Sequence, residues 1–181
     1  MHIPPAKDPV SALQDAFGAH IRQVKSFRDE TTVIVDPTAI VDVMLFLRNT
    51  PGLVYNFLSD ISAVDYYEET GDYDPEARFG VSYHIYSMLY NRRLRIKVLL
   101  EEEAPSVPSI VSVWPAANWL EREIMDMMGV RFEGHPDPRR LLMPEDWDGH
   151  PHRRDYPLGK ETVQFSFNVE EILRHKPFAR E

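Results

Sequence analysis

Beyond Gly129 the sequence loses every helical or strand-like periodicity, and yet it stays rich in large apolar side chains. Five prolines between positions 129 and 158 restrict φ and hold the chain extended, so this segment has few ways to build a core of its own. Its bulky apolar residues are Phe132, Leu141, Leu142, Met143, Trp147, Tyr156 and Leu158. Burial of one such side chain contributes roughly 1.5–3 kcal/mol, against a typical net stability of about 5–15 kcal/mol. Something outside the segment must therefore cover them.

Two covers are available for the segment, its own chain or another protein, and they are not exclusive. The charge pattern favours a partner, because Arg139 with Arg140 and Arg153 with Arg154 form two basic pairs in a chain of formal charge −9. Arginine and aromatic residues are enriched at interface hot spots, and an extended segment loses less entropy on docking. We therefore predict that residues 121–158 form a docking surface and that the chain is a non-catalytic component of a larger assembly.

The part of the chain before this segment carries the periodicity of regular elements. Asp8 or Ser11 and Asp36 are expected N-caps, whereas Gly18 and Gly129 are expected to end helices. The predicted elements are a helix from 8 to 18, strands at 21–27 and 31–35, a helix from 36 to 48, a strand within 53–67, paired strands at 78–90 and 94–101, a loop at 104–109 and a helix from 115 to 128.

The order of these elements defines the expected fold class. Several adjacent strands in one sheet, with helices before and after them, are typical of an α+β domain. We predict a mainly antiparallel sheet with helices on one face, followed by an extended proline-rich C-terminal tail. The α+β domain is placed at residues 1–130 and the extended interaction tail at residues 131–181.

Charge and composition exclude several classes of function. An acidic chain is a poor nucleic-acid binder, because phosphate contacts need a surplus of Lys and Arg. The absence of cysteine excludes disulfides, cysteine-based zinc sites and ordinary iron–sulfur clusters. There is no Gly-x-Gly-x-x-Gly or P-loop, the apolar run at 39–47 is far shorter than the roughly 20 residues of a membrane span, and no secretory signal is visible. We therefore expect a cytoplasmic protein that binds neither nucleotide nor nucleic acid.

Residues 121–158 also carry an ordered motif. Its members are Glu121-Arg122-Glu123, Asp126, Gly129, Phe132, Gly134-His135-Pro136-Asp137, Arg139-Arg140, Met143-Pro144-Glu145-Asp146-Trp147, Gly149-His150-Pro151 and Arg153-Arg154-Asp155-Tyr156-Pro157-Leu158. This series closely resembles the signature of the 30 kDa subunit of respiratory complex I, the NADH:quinone oxidoreductase. The chain departs from the family pattern at Pro138 and His152, where Leu is usual, and at Met125 and Met128, where aromatic residues are common.

The resemblance implies a component without chemistry of its own in a proton-translocating complex. Members of the family bind no cofactor, since FMN, the iron–sulfur clusters and quinone belong to partner subunits. The implied partners are the quinone-site subunit and the subunit that bears the terminal cluster, with other peripheral-arm subunits as further candidates. The chain would lie on the cytoplasmic side of the inner membrane and reach the membrane only through the complex. The expected interface residues are Glu121, Arg122, Glu123, Asp126, Phe132, His135, Arg139, Arg140, Trp147, His150, Arg153, Arg154, Asp155 and Tyr156.

Other functions remain open at this point. The chain could be the equivalent component of a ferredoxin-dependent photosynthetic complex or of a membrane-bound hydrogenase, although the intact Glu-Arg-Glu at 121–123 favours the respiratory type. A stand-alone metal-dependent hydrolase would use His135, His150 and His152. Each of these histidines lies beside a proline, which suits turn geometry, and their spacing matches no known ligand set.

Glu121 and Glu123 are a further candidate, as an acid/base pair. Two residues separated by two positions point about 200° apart on a helix, so these carboxylates cannot easily share one substrate. We expect them instead to take part in an ionic network that clamps Arg122 or the arginines of the tail.

Overall fold

The computed structural model describes residues 3–157, so Leu158 and the remainder of the predicted tail lie outside the described part of the chain. None of the helices within the described part is long and apolar enough to cross a membrane. The helices and strands, in chain order, are α1 (Pro9–Phe17), β1 (Ile21–Phe27), β2 (Glu30–Val35), α2 (Ile40–Asn49), β3 (Phe57–Asp65), β4 (Phe79–Ser87), β5 (Arg92–Leu100), β6 (Ser106–Pro108), α3 (Ala117–Met128) and β7 (Arg131–Glu133).

Five of these strands form one sheet in the order β1-β2-β5-β4-β3. Neighbouring strands run antiparallel, except that β2 and β5 run parallel. The predicted long hairpin is confirmed as β4 and β5, and Asn91 adopts a left-handed φ of 51° in the turn between them. The α+β class with a mainly antiparallel sheet is therefore confirmed.

The three described helices share one apolar core with a single face of this sheet. Val81 and Tyr83 of β4 point to that face and are fully buried. They belong to one cluster with Leu13 of α1, Met44 of α2 and Ile124 of α3. The prediction of helices on one face therefore agrees with the structure, and the opposite face of the sheet carries the alternate, more polar residues of the strands.

The N-cap predicted for the first helix is confirmed, whereas the N-cap predicted for the second is wrong. In α1, the carboxylate of Asp8 accepts a hydrogen bond from the backbone N–H of Ser11 at 2.8 Å, as expected of an N-cap. The helix predicted from residue 36 begins later, because Pro37–Ala39 forms a 3₁₀ turn ahead of α2. Asp36 is not its cap, since its carboxylate accepts a hydrogen bond from Nε of Arg22 at 2.6 Å instead.

The strand expected within 53–67 is confirmed as β3, which begins at Phe57 because Gly52 and Val54 take positive φ values of 95° and 45° in a turn before it. One further prediction is wrong. The loop expected at 104–109 contains β6, which pairs in parallel with β7. Three residues are too few to show alternation, so the sequence carries no signal for this strand. The pairing also joins residues on both sides of the predicted boundary between 130 and 131.

Candidate functional site

The described part of the C-terminal segment, residues 131–157, is called the tail below, and it lies against α3 and the end of β3. Phe132 enters the core, and the residues after it are fixed mainly by buried charged side chains rather than by regular structure. In the structure, the chain itself covers this segment, which is one of the two possibilities that the sequence left open. Three groups of contacts hold the tail in place.

The first group centres on Asp126 of α3, which is almost fully buried. One carboxylate oxygen accepts hydrogen bonds from three successive backbone N–H groups, those of Leu141, Leu142 and Met143, at 3.0, 2.7 and 2.9 Å. The other oxygen accepts one from Nη1 of Arg140 at 2.9 Å. Burial alone would raise the pKa of Asp126, but these hydrogen bonds outweigh it and lower the pKa below its ordinary value. The carboxylate is therefore charged and binds the tail as an anion.

The second group centres on Arg122, one helical turn before Asp126. Its Nε and Nη2 atoms donate to the backbone carbonyls of Arg139 and Arg140 at 3.0 and 3.1 Å, and Nη1 lies 3.5 Å from a carboxylate oxygen of Asp137. The guanidinium also lies over the ring of Trp119, 5.2 Å from its centroid. Arg122 thus binds backbone carbonyls of the tail. Its guanidinium can donate to them whatever side chains the tail carries.

The third group centres on Arg78, the residue immediately before β4. Arg78 is 2% exposed. Its Nε and Nη2 atoms contact both carboxylate oxygens of Asp65 at 3.0 and 2.9 Å, and Nη1 donates to Glu102 at 2.7 Å. Nη2 also lies 2.9 Å from Asp155 in the tail. The backbone N–H of Arg154 donates to Asp65 at 3.0 Å. The end of the tail is therefore attached to a buried ion-pair network within the sheet.

The C-terminal end of α3 is also capped by the tail. His150 Nδ1 donates to the carbonyl of Asp126 at 2.8 Å, and Nε of Arg153 donates to the carbonyl of Met128 at 2.7 Å. Such carbonyls lack partners inside a helix, and a positive charge is favourable there. Gly129 ends the helix with φ 73°, and a Cβ at this position would lie 2.5 Å from the imidazole of His150. Only glycine fits both requirements, as the sequence indicated.

Comparisons with known proteins show which family this chain belongs to. The family model described as "Respiratory-chain NADH dehydrogenase, 30 Kd subunit" matches residues 33–162, which include α3 and the whole tail. The chain belongs to this family. The resemblance found in the sequence is thereby confirmed at the level of the family.

Individual members of the family agree with this assignment. The corresponding subunit of the NADH-quinone oxidoreductase of Roseiflexus sp. (strain RS-1) is 50% identical over 171 residues, covering 94% of this chain and 92% of that protein. Among solved structures, the trypsin-resistant fragment (1-134) of Nqo5 matches with a TM-score of 0.60 and 28% identity, covering 72% of this chain and 99% of the fragment. A chain of an archaeal membrane-bound sulfane sulfur reductase matches with a TM-score of 0.61 and 21% identity over 82% of this chain and 84% of that one, which shows a shared fold alone.

The interface residues expected for this 30 kDa-family chain divide into two groups in the structure. The residues that face inward or are partly covered are Glu121, Arg122, Asp126, Phe132, His135, Arg140, Trp147, His150, Arg153 and Tyr156. The residues that are exposed are Glu123, Arg139, Arg154 and Asp155. Their role toward a partner stays a prediction, and what the structure adds is that most of the first group hold the tail.

Sequence reasoning missed two kinds of residue in this site. Arg78 and Asp65 were assigned only to strands, because their partners lie far away in the sequence and leave no local pattern. Trp119 was also missed, although it is 61% exposed on α3 beside Arg122. A signal for it existed, since Trp119 precedes the exposed Glu123 by four positions and therefore shares its polar helix face.

Glu121 does not form the ion pair with Arg122 or the arginines of the tail that the sequence predicted. Glu121 is fully buried and contacts no arginine; it accepts hydrogen bonds from Ser109 Oγ at 2.6 Å and from the backbone N–H of Ile110 at 2.8 Å. Asp137, not Glu121 or Glu123, is the carboxylate beside Arg122. Nε2 of His135 lies 3.9 Å from the Glu121 carboxylate, but the groups that donate hydrogen bonds to it are neutral. A buried carboxylate of this kind is costly to ionise, and burial raises the pKa of Glu121 to about 7.

This raised pKa predicts a pH-dependent loss of stability. The folded chain binds the Glu121 proton more tightly than the unfolded chain, whose value is near 4.5, so the contribution of Glu121 falls as pH rises between these values. Glu121→Gln cannot titrate. Between pH 5 and 8 the wild type should therefore lose roughly 2–3 kcal/mol relative to Glu121→Gln, at about 1.4 kcal/mol per pKa unit. Urea denaturation at several pH values measures the difference, and the exposed neighbour in Glu123→Gln is the control. Parallel curves for wild type and Glu121→Gln would contradict the prediction.

Two of the three histidines of the hydrolase hypothesis, His135 and His150, make structural contacts through their rings. The third, His152, is exposed, and its backbone N–H donates to the carbonyl of Met127 at 2.9 Å. The Nε2 atom of His135 lies 3.1 Å from the carbonyl of Asn118, and its Nδ1 accepts the backbone N–H of Asp137 at 3.0 Å. His150 binds the end of α3. Within residues 3–157, no group of three His, Asp or Glu side chains is placed to hold a metal ion.

Proposed function

We propose that this chain is a non-catalytic, positioning component of a proton-translocating NADH:quinone oxidoreductase. In this role it binds the quinone-site subunit and the cluster-bearing subunit on the cytoplasmic side of the membrane, which it reaches only through the complex. FMN, the iron–sulfur clusters and quinone are held by partner subunits. The absence of cysteine supports the part of the proposal that concerns clusters, because their ordinary ligands are cysteine thiolates.

The observation that carries the proposal is an exposed apolar surface fixed by buried charges. Trp119 and Leu142 are 61% and 60% exposed, although each lies next to an anchor of the tail. Trp119 stacks on Arg122, and the backbone of Leu142 is bound by Asp126. These two side chains and the exposed Arg139 between the anchors are called the α3–tail surface.

The composition and rigidity of the α3–tail surface suit a permanent contact. Tryptophan and arginine are the residue types most enriched at interface hot spots. Because Arg122 and Asp126 fix the backbone of the tail before any partner binds, docking need not order it, and the entropy cost of association is smaller. A surface of this kind binds and positions a partner and requires no chemistry of its own.

Charge insertion at the α3–tail surface tests the proposal. Trp119→Asp combined with Leu142→Asp is expected to reduce the amount of the quinone-site subunit that co-purifies with this chain at least tenfold, because a carboxylate buried at an apolar contact is strongly disfavoured. Affinity purification from membranes followed by quantitative mass spectrometry measures it.

The matched control is Met88→Asp combined with Leu89→Asp, which adds the same two charges at side chains that are 59% and 45% exposed in the turn after β4. Thermal unfolding of the isolated variants ensures that the effect is not a loss of fold. If the double variant assembles with the quinone-site and cluster-bearing subunits at wild-type levels and supports full quinone reduction, the proposal is refuted.

A further inference from the structure

The face of the sheet opposite the helices, called the open face, is not covered by any element within residues 3–157. Residues paired across the strands point to the same face, which places Phe57, Tyr86 and Arg93 in one row. Phe27 of β1 lies on the same face at the far edge of the sheet and is 71% exposed, and Phe57 is 44% exposed. Two aromatic side chains thus stand in solvent on either side of a central arginine.

A cleft of about 900 Å³ lies between these edges. Its walls are the turn between β1 and β2 on one side and Phe57 with Asp60 of β3 on the other, and its floor carries Tyr86 and Arg93. Arg93 is exposed and has no carboxylate within ion-pair distance among the described residues. The charges that line the cleft are balanced, with Arg28, Arg93 and Arg95 against Asp29, Glu30 and Asp60. Arginine and aromatic rings on a concave surface are nevertheless typical of a binding site.

The charge of the open face is opposite to that of the chain. Lys25, Arg93, Arg95 and Lys97 share this face, against the carboxylates of Glu30 and Asp60. The face therefore carries a formal charge of about +2 on a chain whose formal charge is −9. Arg95 pairs with Glu30, which leaves the other three cations without a carboxylate partner in the described part of the chain.

We propose that the open face binds an acidic segment of another subunit, which places carboxylates on Arg93 and Lys25 and separate apolar side chains against Phe27 and Phe57. This second contact rests on the proposed role within the complex but uses none of the residues of the α3–tail surface. Charge complementarity selects the occupant, because an acidic segment gains from a basic face and is repelled by the rest of this chain.

The chain's own residues 158–181 fit the open face less well. That stretch contains four basic residues, Lys160, Arg174, Lys176 and Arg180, and four glutamates, so its formal charge is zero. It gains nothing from an excess of cations. A second copy of the chain and residues 158–181 are therefore the occupants that the experiment has to distinguish from an acidic partner.

Photo-crosslinking in the purified complex tests the inference. The variant Phe57→p-benzoylphenylalanine places a reactive ring at the wall of the cleft without changing its aromatic character. Irradiation should link it to one segment of another subunit, rich in Asp and Glu, that mass spectrometry can sequence. Adding Arg93→Glu and Lys25→Glu should lower the yield of that product at least tenfold. The control charge reversal, Arg131→Glu on β7, changes an exposed arginine away from the open face and should leave the yield unchanged.

Several outcomes would overturn the inference. A crosslink to residues 158–181, a crosslink between two copies of this chain, or a partner segment without excess acidic residues would each reject the acidic occupant. Absence of any product, or a product whose yield survives both charge reversals, would do the same. Failure here is distinct from failure of the proposed function, because the latter is read from assembly of the α3–tail surface variants.

Discussion

Replacing the buried arginine of the sheet, Arg78→Met, is expected to lower the free energy of unfolding by about 3–5 kcal/mol. Arg78 is the ion-pair partner of Asp65, which is 5% exposed, and the substitution leaves that carboxylate buried without this partner and close to Glu102 and Asp155. The remaining donors to Asp65 are two backbone N–H groups, those of Tyr67 and Arg154. These cannot replace a bidentate guanidinium.

Urea denaturation of the full chain at pH 7 measures this loss in the free energy of unfolding, with two variants for comparison. Arg22→Met removes an exposed ion pair with Asp36 and should cost less than about 1 kcal/mol. The double variant Arg78→Met/Asp65→Leu removes both buried charges and should recover part of the loss, since most of the cost is that of an unpaired charge. A loss below about 1 kcal/mol for Arg78→Met alone would show that water or other groups neutralise Asp65.

Replacing the carboxylate that binds the middle of the tail, Asp126→Ala, is expected to free residues 141–143 locally, while the sheet remains folded and the contacts of Arg122 and Arg78 with the tail persist. Three backbone N–H groups and Arg140 lose their acceptor at once. Net contributions of about 1 kcal/mol for each of these four bonds predict a local loss of about 4 kcal/mol, and hence roughly a thousandfold faster hydrogen exchange at Leu141, Leu142 and Met143. Trypsin should also cleave after Arg139 and Arg140 much sooner.

The matched control is Asp146→Ala, an exposed aspartate of the tail with no described hydrogen bond or ion pair. It should change neither exchange nor proteolysis. If the three amides of Asp126→Ala stay as protected as in the wild type, the tail is held by something other than this carboxylate. The proposed function also predicts that this variant binds the quinone-site subunit more weakly, because Leu142 in the α3–tail surface is no longer fixed.

The regular elements could be predicted because their signals are local. The hairpin of β4 and β5 follows from alternation on both sides of Asn91, and the end of α3 follows from Gly129, whose left-handed φ other residues resist. β6 has no such signal, being three residues long and defined only by its pairing with β7.

The residues that hold the tail could be located from the sequence, but the groups that they bind could not be predicted. Resemblance to the 30 kDa family singled out residues 121–158, yet a charged residue that binds its own chain and one that binds a partner look alike in sequence. Asp126 was therefore expected at an interface with a partner, whereas the structure buries it under the tail. Arg78 has partners 13 and 24 positions away and another in the tail, so no window of sequence contains the network.

The network around Arg78 can be completed only late in the synthesis of the chain. The backbone of Arg154 binds Asp65 across a separation of 89 positions. At about 5–20 residues per second, the ribosome needs several seconds to make the residues between them. During that interval the Arg78 network lacks its contribution from the tail. The α3–tail surface likewise takes its final form only after residues 141–143 have been made and can bind Asp126, so a shorter nascent polypeptide cannot present it to a partner.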